Sequence, residues 1–111
     1  MLIATRILKL RQADGETEIP VRIYAPQPEA SGSWACRFEI AWPERPSDKT
    51  IFGVDAMQSL VLALQLIGFE IYTSDYHEAN ELYFDTPGEG YGFPVMSAYR
   101  DKLQGEDAKY L

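Results

Sequence analysis

The sequence predicts an α+β domain of two layers, in which a mostly antiparallel sheet of three to five strands packs on one long helix and a C-terminal return segment follows. Strands are predicted because several segments before residue 50 alternate apolar and polar residues. The helix is predicted because residues 53–77 place apolar side chains at helical spacing. A chain of 111 residues fits one domain, residues 1–111, and we expect residues 104–111 to form a frayed tail.

The first two predicted strands form a hairpin. Residues 2–11 alternate, although Arg6 interrupts the apolar face, and residues 18–24 alternate again. The Asp14-Gly15 pair between them is typical of a tight turn. Because Pro20 cannot donate a ladder hydrogen bond, we expect the second strand to lie at a sheet edge, at least around that residue.

The third predicted strand has the strictest alternation in the chain. Its large apolar residues share one face, which predicts a sheet with one buried and one solvated side. They are Trp34, Cys36, Phe38, Ile40 and Trp42. Residues 50–52 are expected to form a short fourth strand, and residues 82–85 one more.

The helical stretch is the most informative element because it is apolar on two sides. Either Gly53 or Asp55 is expected to cap its start. The broader stripe is predicted to face the sheet, and Gly68 within it would allow a close approach to that sheet. This stripe comprises Met57, Leu60, Val61, Leu64, Ile67, Gly68 and Ile71.

A second stripe on the helix, Leu62, Leu66 and Phe69, lies on roughly the opposite side. Two explanations are open for it. The return segment over residues 91–103 is rich in aromatic side chains and would cover the stripe within the chain. Alternatively, these side chains form an interface with a second copy of the chain or with a protein partner. They are therefore the candidate interface.

The charge of the chain argues against some partners. The 10 Lys and Arg residues against 17 Asp and Glu give a net charge of −7, and no Lys or Arg lies between Lys49 and Arg100. Such an acidic chain repels phosphate backbones, so nucleic acid is not an expected partner. The charge suits solubility or, alternatively, a basic protein partner of the kind that toxin antidotes bind.

The expected location follows from the cysteine content and from hydropathy. Cys36 is the only cysteine, so no intramolecular disulfide can form. The N-terminus lacks the continuous apolar core of a signal peptide, and polar side chains interrupt residues 56–72 too often for a membrane span. We therefore expect a cytoplasmic protein without a membrane partner.

Three motifs invite a chemical interpretation, and each lacks a required group. The Gly-rich run at residues 88–92 departs from the phosphate-loop pattern and carries an acid. Residues 77–81 resemble a zinc helix, but a catalytic zinc usually takes three protein ligands and His77 is the only histidine. A thiol at Cys36, on the apolar face of its strand, is inert. We predict no catalytic, cofactor or metal residues, and metal binding at His77 stays a minor alternative.

Four segments stand out as a set: Trp34-Ala-Cys-Arg-Phe-Glu-Ile-Ala-Trp-Pro43, Gly53-Val-Asp-Ala-Met-Gln-Ser-Leu60, Leu62-Ala-Leu-Gln-Leu-Ile-Gly68 and Tyr91-Gly-Phe-Pro94. Together they resemble a family of small bacterial proteins known only as a domain of unknown function. The resemblance spans about residues 2–95 and implies a stand-alone bacterial domain with no assigned activity. If the motifs mark a shared surface, the candidate polar contacts are Arg37, Asp55 and Gln58.

The sequence favours a non-enzymatic domain that works through protein contacts, including self-association as a homodimer. One alternative is a small-molecule-binding domain or a minor enzyme with a pocket between the sheet and the Gly-rich loop. Trp42, Tyr91 and Phe93 would line that pocket, with Arg37 or Asp55 as the polar contact. The other alternative is an acidic, antidote-like binder of a basic protein. No cofactor is expected.

Overall fold

The structure is a computed structural model that describes residues 1–111. An antiparallel sheet of six strands packs with helices, which confirms the predicted α+β class. The sheet has one strand more than the three to five predicted, because the two residues Gln27–Pro28 also pair with it. The elements are β1 (Leu2–Gln12), β2 (Gly15–Tyr24), β3 (Gln27–Pro28), β4 (Trp34–Ile40), β5 (Ser47–Gly53), α1 (Ala56–Tyr72), α2 (Asp75–Glu78), β6 (Leu82–Tyr83), a 3₁₀ turn (Ser97–Lys102) and α3 (Gly105–Tyr110). None of the helices is both long and apolar enough to cross a membrane.

β2 lies inside the sheet only from Val21 to Ile23, so the expectation of an edge strand is wrong for that end of β2 and right around Pro20. β2 pairs with β1 on one side and with β4 on the other, and β5 pairs with the far side of β4. Pro20 is tolerated because it lies where the β4 ladder ends. Its carbonyl accepts from the Ala41 N–H at 3.0 Å, and the ladder with β4 begins one residue later at Val21. The missing donor therefore interrupts no regular ladder bond.

The alternation of β4 is confirmed. Cys36, Phe38 and Ile40 are fully buried, whereas Arg37 on the other face is exposed. β5 is longer than predicted, because it pairs with β4 over seven residues from Ser47 to Gly53. Most of its first residues are polar and exposed, so they show no alternation in the sequence.

The predicted single helix over residues 53–77 is two helices. α1 ends at Tyr72, and α2 starts after Ser74. The hydroxyl groups of Thr73 and Ser74 donate to the carbonyls of Phe69 and Ile71 at 2.7 Å, and Ser74 Oγ also accepts from the His77 N–H at 3.1 Å. These short polar side chains compete for the helix backbone groups and end α1.

The face of α1 that meets the core matches the predicted stripe in the second half of the helix, where Ile67 and Ile71 are 0% exposed, and departs from it near the start. Met57 and Val61, assigned to the sheet-facing stripe, are 71% and 44% exposed. The buried residues instead include small ones at four-residue spacing, Ser59 and Ala63, both 0% exposed. They let the helix approach closely, and a Cβ on Gly53 of β5 would stand 2.5 Å from Ser59 N. Apolar periodicity gives small residues little weight and therefore misses Ser59 and Ala63 at the start of α1.

β6 pairs with β1 through Leu82 and Tyr83 only, so the strand predicted over residues 82–85 is half that length.

The C-terminal segment is more ordered than expected. Residues 104–111, expected as a frayed tail, contain α3, whose Asp107 is buried at 3% exposure. This acid fastens the segment to the rest of the domain.

Candidate functional site

A cavity of about 400 Å³ lies between the sheet, α1 and the return segment. α1 packs over β4 and β5. The first half of β1 and the facing part of β2 are therefore left to be covered by the return segment, and that cover is incomplete. Most of the lining is apolar: Ala4, Val21, Ile23, Leu64, Ile67, Phe93, Pro94 and Leu111.

Arg6 is the one charged side chain in the cavity wall. Its Nη1 donates to the carbonyls of Tyr91 and Gly92, both at 3.1 Å. The guanidinium carbon stands 4.7 Å from the ring centre of Phe84 and 5.1 Å from that of Phe93. In the sequence, Arg6 stands out only because it interrupts the apolar face of its strand, and that interruption lies at the cavity.

The Gly-rich loop is held from two sides. Arg6 binds the carbonyls of Tyr91 and Gly92, while the Asp107 carboxylate accepts their two N–H groups at 2.8 Å each. Gly90 and Gly92 have φ of 89° and 79°, a region that favours glycine. A Cβ on Gly90 would stand 2.4 Å from the Asp107 carboxyl carbon, and one on Gly92 would stand 2.2 Å from Arg6 Nη1.

Asp107 belongs to a buried cluster with Tyr72, Tyr91 and His77. Tyr72 donates to Asp107 at 2.7 Å, and the Tyr91 hydroxyl lies 2.5 Å from His77 Nδ1. Burial, and then the hydrogen bond to Asp107, raise the pKa of Tyr72, while burial raises the pKa of Tyr91 to about 12. Burial also lowers the pKa of His77. At neutral pH both tyrosines are therefore protonated donors.

The structure brings no metal-binding group together. His77 turns toward Tyr91, and no cluster of three His, Cys, Asp or Glu side chains has the spacing of a metal site. Cys36 is buried, and burial raises the pKa of its thiol. In the Gly-rich loop, the N–H groups of Tyr91 and Gly92 donate to the carboxylate of Asp107 and are not free for a phosphate.

Arg37, a candidate polar contact, lies on the solvent face of the sheet, away from α1. Its Nε and Nη2 donate to both oxygens of Asp48 at 2.8 and 2.9 Å, and Nη2 also reaches Glu39 at 3.2 Å. The guanidinium stacks 4.6 Å over the Tyr24 ring, and the Tyr24 hydroxyl donates to Glu39. The hydrogen bond from Arg37 lowers the pKa of Asp48. Arg37 is thus engaged within the chain.

Asp55 and Gln58, the other two candidate polar contacts, lie together at the start of α1. Asp55 Oδ1 accepts from the Gln58 N–H, and Gln58 Oε1 accepts from the Val54 N–H, both at 2.7 Å. This reciprocal arrangement caps the helix, as proposed for Asp55. The structure does not bring either residue to Arg37, which lies on the other face of the sheet.

The candidate interface residues Leu62, Leu66 and Phe69 are half-buried. The Phe69 ring meets Tyr99 of the return segment edge-on at 4.8 Å, and Leu66 packs partly against the core. The return segment therefore covers part of the second stripe. It approaches the backbone of α1 at Gly68, where a Cβ would stand 1.8 Å from the Pro94 carbonyl oxygen. Gly68 was expected to allow a close approach to the sheet. It allows a close approach of the return segment instead.

Of the pocket residues named from the sequence, only Phe93 lines the cavity. Trp42 stacks on Tyr76 at 5.2 Å beside a separate, larger cleft of about 600 Å³. That cleft is lined mostly by polar and charged residues. Its most buried acid is Glu70, whose Oε1 accepts from Ser47 at 2.7 Å and whose Oε2 pairs with Lys49 at 3.4 Å without a hydrogen bond. The smaller cavity is the better candidate site, because its walls are apolar and its cation has no acidic partner.

The protein is thus a small two-layer α+β domain with an apolar cavity that carries one arginine. The chain belongs to the family described as a domain of unknown function, DUF6968, whose model matches residues 4–95. Neither a curated protein nor a solved structure matches the chain. All the cavity residues except Leu111 lie within the matched region, whereas Asp107 lies beyond it.

Proposed function

We propose that this protein is a small-molecule-binding domain that takes an apolar ligand in the cavity between β1, β2, α1 and the return segment. The observation that carries the proposal is the cavity itself, about 400 Å³ in volume with mainly apolar walls. Its volume falls in the range of small-molecule sites, roughly 300–1,000 Å³. The ligand would gain its affinity from leaving water for this apolar wall.

Support for binding without catalysis comes from the polar groups around the cavity. The Tyr91 and Gly92 peptides are bound by Arg6 and Asp107. His77 and Tyr91 satisfy each other at 2.5 Å away from the apolar wall. No nucleophile paired with a base faces the cavity, and such a pair is what covalent catalysis would need.

The neutral fluorescent probe N-phenyl-1-naphthylamine tests this proposal. At about 0.4 kcal/mol for each of its roughly 17 heavy atoms, a dissociation constant on the order of 10 µM is expected. Ala4→Trp fills the cavity from β1 and should abolish saturable binding. The matched control is Ile7→Trp, which adds a similar ring on the opposite face of the same strand. Absence of saturable binding by the wild type, or equal binding by Ala4→Trp, contradicts the proposal.

A second function, contact with a protein partner or a second copy, is favoured by exposed apolar side chains near the start of α1. Val54 and Met57 are 75% and 71% exposed, and Val61 follows Met57 on the same helix face. We infer that these residues, more than Leu62, Leu66 and Phe69, would form the contact. Light scattering of the wild type at high micromolar concentration should show dimers that Met57→Glu dissociates. Met96→Glu, at a distant exposed methionine, is the control, and a wild-type monomer rejects self-association.

Exposed acids between α1 and the return segment favour a basic protein as the partner in that second function, as in an antidote. They are Asp75, Glu78, Asp85 and Glu89.

The compartment we infer is the bacterial cytoplasm. In support, the only cysteine is a buried free thiol, which a reducing compartment preserves.

A further inference from the structure

Arg6 is a cation without a counter-ion. It is half-buried between two phenyl rings, and none of the ion pairs of the protein involves it. Charged side chains are seldom buried unless they are paired. Asp107 does not pair with Arg6 directly. It accepts from the N–H groups of Tyr91 and Gly92, whereas Arg6 donates to the carbonyls of these two residues.

Part of the guanidinium is free to bind. Both carbonyl bonds of Arg6 come from Nη1, while Nε and Nη2 make no hydrogen bond within the chain. Nε and one N–H of Nη2 point in parallel, which is the geometry that binds the two oxygens of a carboxylate. Arg37 in the same protein holds Asp48 through this pair of atoms at 2.8 and 2.9 Å.

We propose that the cavity binds an amphipathic monocarboxylate, an inference that rests on the proposed function and names its ligand class. The carboxylate pairs with Nε and Nη2 of Arg6, and the hydrocarbon body lies against Val21, Ile23, Leu64 and Ile67. A single guanidinium suits one negative charge. A phosphate needs more hydrogen-bond donors than one guanidinium supplies, and the nearby N–H groups of Tyr91 and Gly92 already donate to Asp107.

Isothermal titration calorimetry at neutral pH with decanoate, decan-1-ol and decylamine tests this ligand class. Decanoate is expected to bind about 10- to 100-fold more tightly than decan-1-ol, the range that a hydrogen-bonded ion pair supplies. Decylamine should bind most weakly, since its charge repels Arg6. Octanoate should bind about 15-fold more weakly than decanoate, from about fourfold for each methylene group.

Arg6→Gln should reduce decanoate affinity to that of decan-1-ol and leave decan-1-ol unchanged. Lys9→Gln removes a positive charge from the same strand and should change neither ligand. If Arg6→Gln does not fold, Arg6→Lys replaces it. Lysine keeps the positive charge but lacks the two parallel N–H groups, so its decanoate affinity should lie between the wild-type affinities for decanoate and for decan-1-ol. Equal binding of decanoate and decan-1-ol by the wild type overturns the ligand class while the proposed function stands. If neither these ligands nor the naphthylamine probe binds, both fail together.

Discussion

Asp107→Ala is expected to lower the free energy of unfolding by about 3 kcal/mol and to loosen the C-terminal segment. The carboxylate is 3% exposed and accepts from Tyr91 N, Gly92 N and the Tyr72 hydroxyl at 2.7–2.8 Å. Alanine leaves these donors without a partner, and a bond to a charged group contributes about 1.5–3 kcal/mol. The estimate lies below the sum of three bonds because the loosened segment admits water.

Urea unfolding at neutral pH measures this loss, and hydrogen exchange of residues 90–111 locates it. Glu106→Ala is the control. The Glu106 carboxylate, next to Asp107 in the chain, is exposed and pairs only with Lys109 at 3.6 Å. Such a contact contributes at most about 0.5 kcal/mol. Equal stability of the Asp107 and Glu106 variants would show that the Asp107 carboxylate does not fasten the loop.

Gly68→Ala is expected to destabilise the protein by about 2 kcal/mol, although alanine is the better helix former by about 1 kcal/mol. The added Cβ would stand 1.8 Å from the Pro94 carbonyl oxygen and 2.9 Å from its carbon. Backbone cannot rotate away as a side chain does, so the return segment must move. Since Phe93 and Pro94 line the cavity, binding of the naphthylamine probe should weaken as well.

Val61→Ala is the matched control for this substitution, because Val61 lies on α1 and is 44% exposed. It gains helix propensity without a new contact, so its stability should be unchanged or slightly higher. Thermal unfolding of both variants decides the matter. A Gly68→Ala protein as stable as Val61→Ala would show that the return segment does not pack tightly on α1.

The sheet was largely predictable from sequence. A strand buried on one face must alternate, and β4 does so from Trp34 to Ile40. The cap at Asp55 was predictable because its bonds to nearby residues are local. β5 was predicted too short, since a strand with exposed polar residues owes its extent to its partner and not to its own pattern.

The site was much less predictable. Arg6 and Asp107 lie about a hundred residues apart in the chain, and each matters because of a peptide that it meets only in the folded state. Arg37, Asp55 and Gln58 were visible as polar residues within apolar motifs, yet their partners lie close by in the sheet or in the same helix turn. Residue types therefore indicated which positions are polar. They did not indicate which of these side chains lack a hydrogen-bond or ion-pair partner within the chain.

Local sequence patterns were enough to predict the α+β class, the hairpin, the buried face of β4 and the start of α1. These depend on local periodicity and on bonds between near neighbours. Contacts in the folded protein were needed to find the close packing at Ser59 and Ala63, the crossing of the return segment at Gly68, and the position of Arg6 without an acid at an apolar cavity. Close approach and charge pairing depend on distances between segments far apart in the chain, and no local pattern encodes those distances.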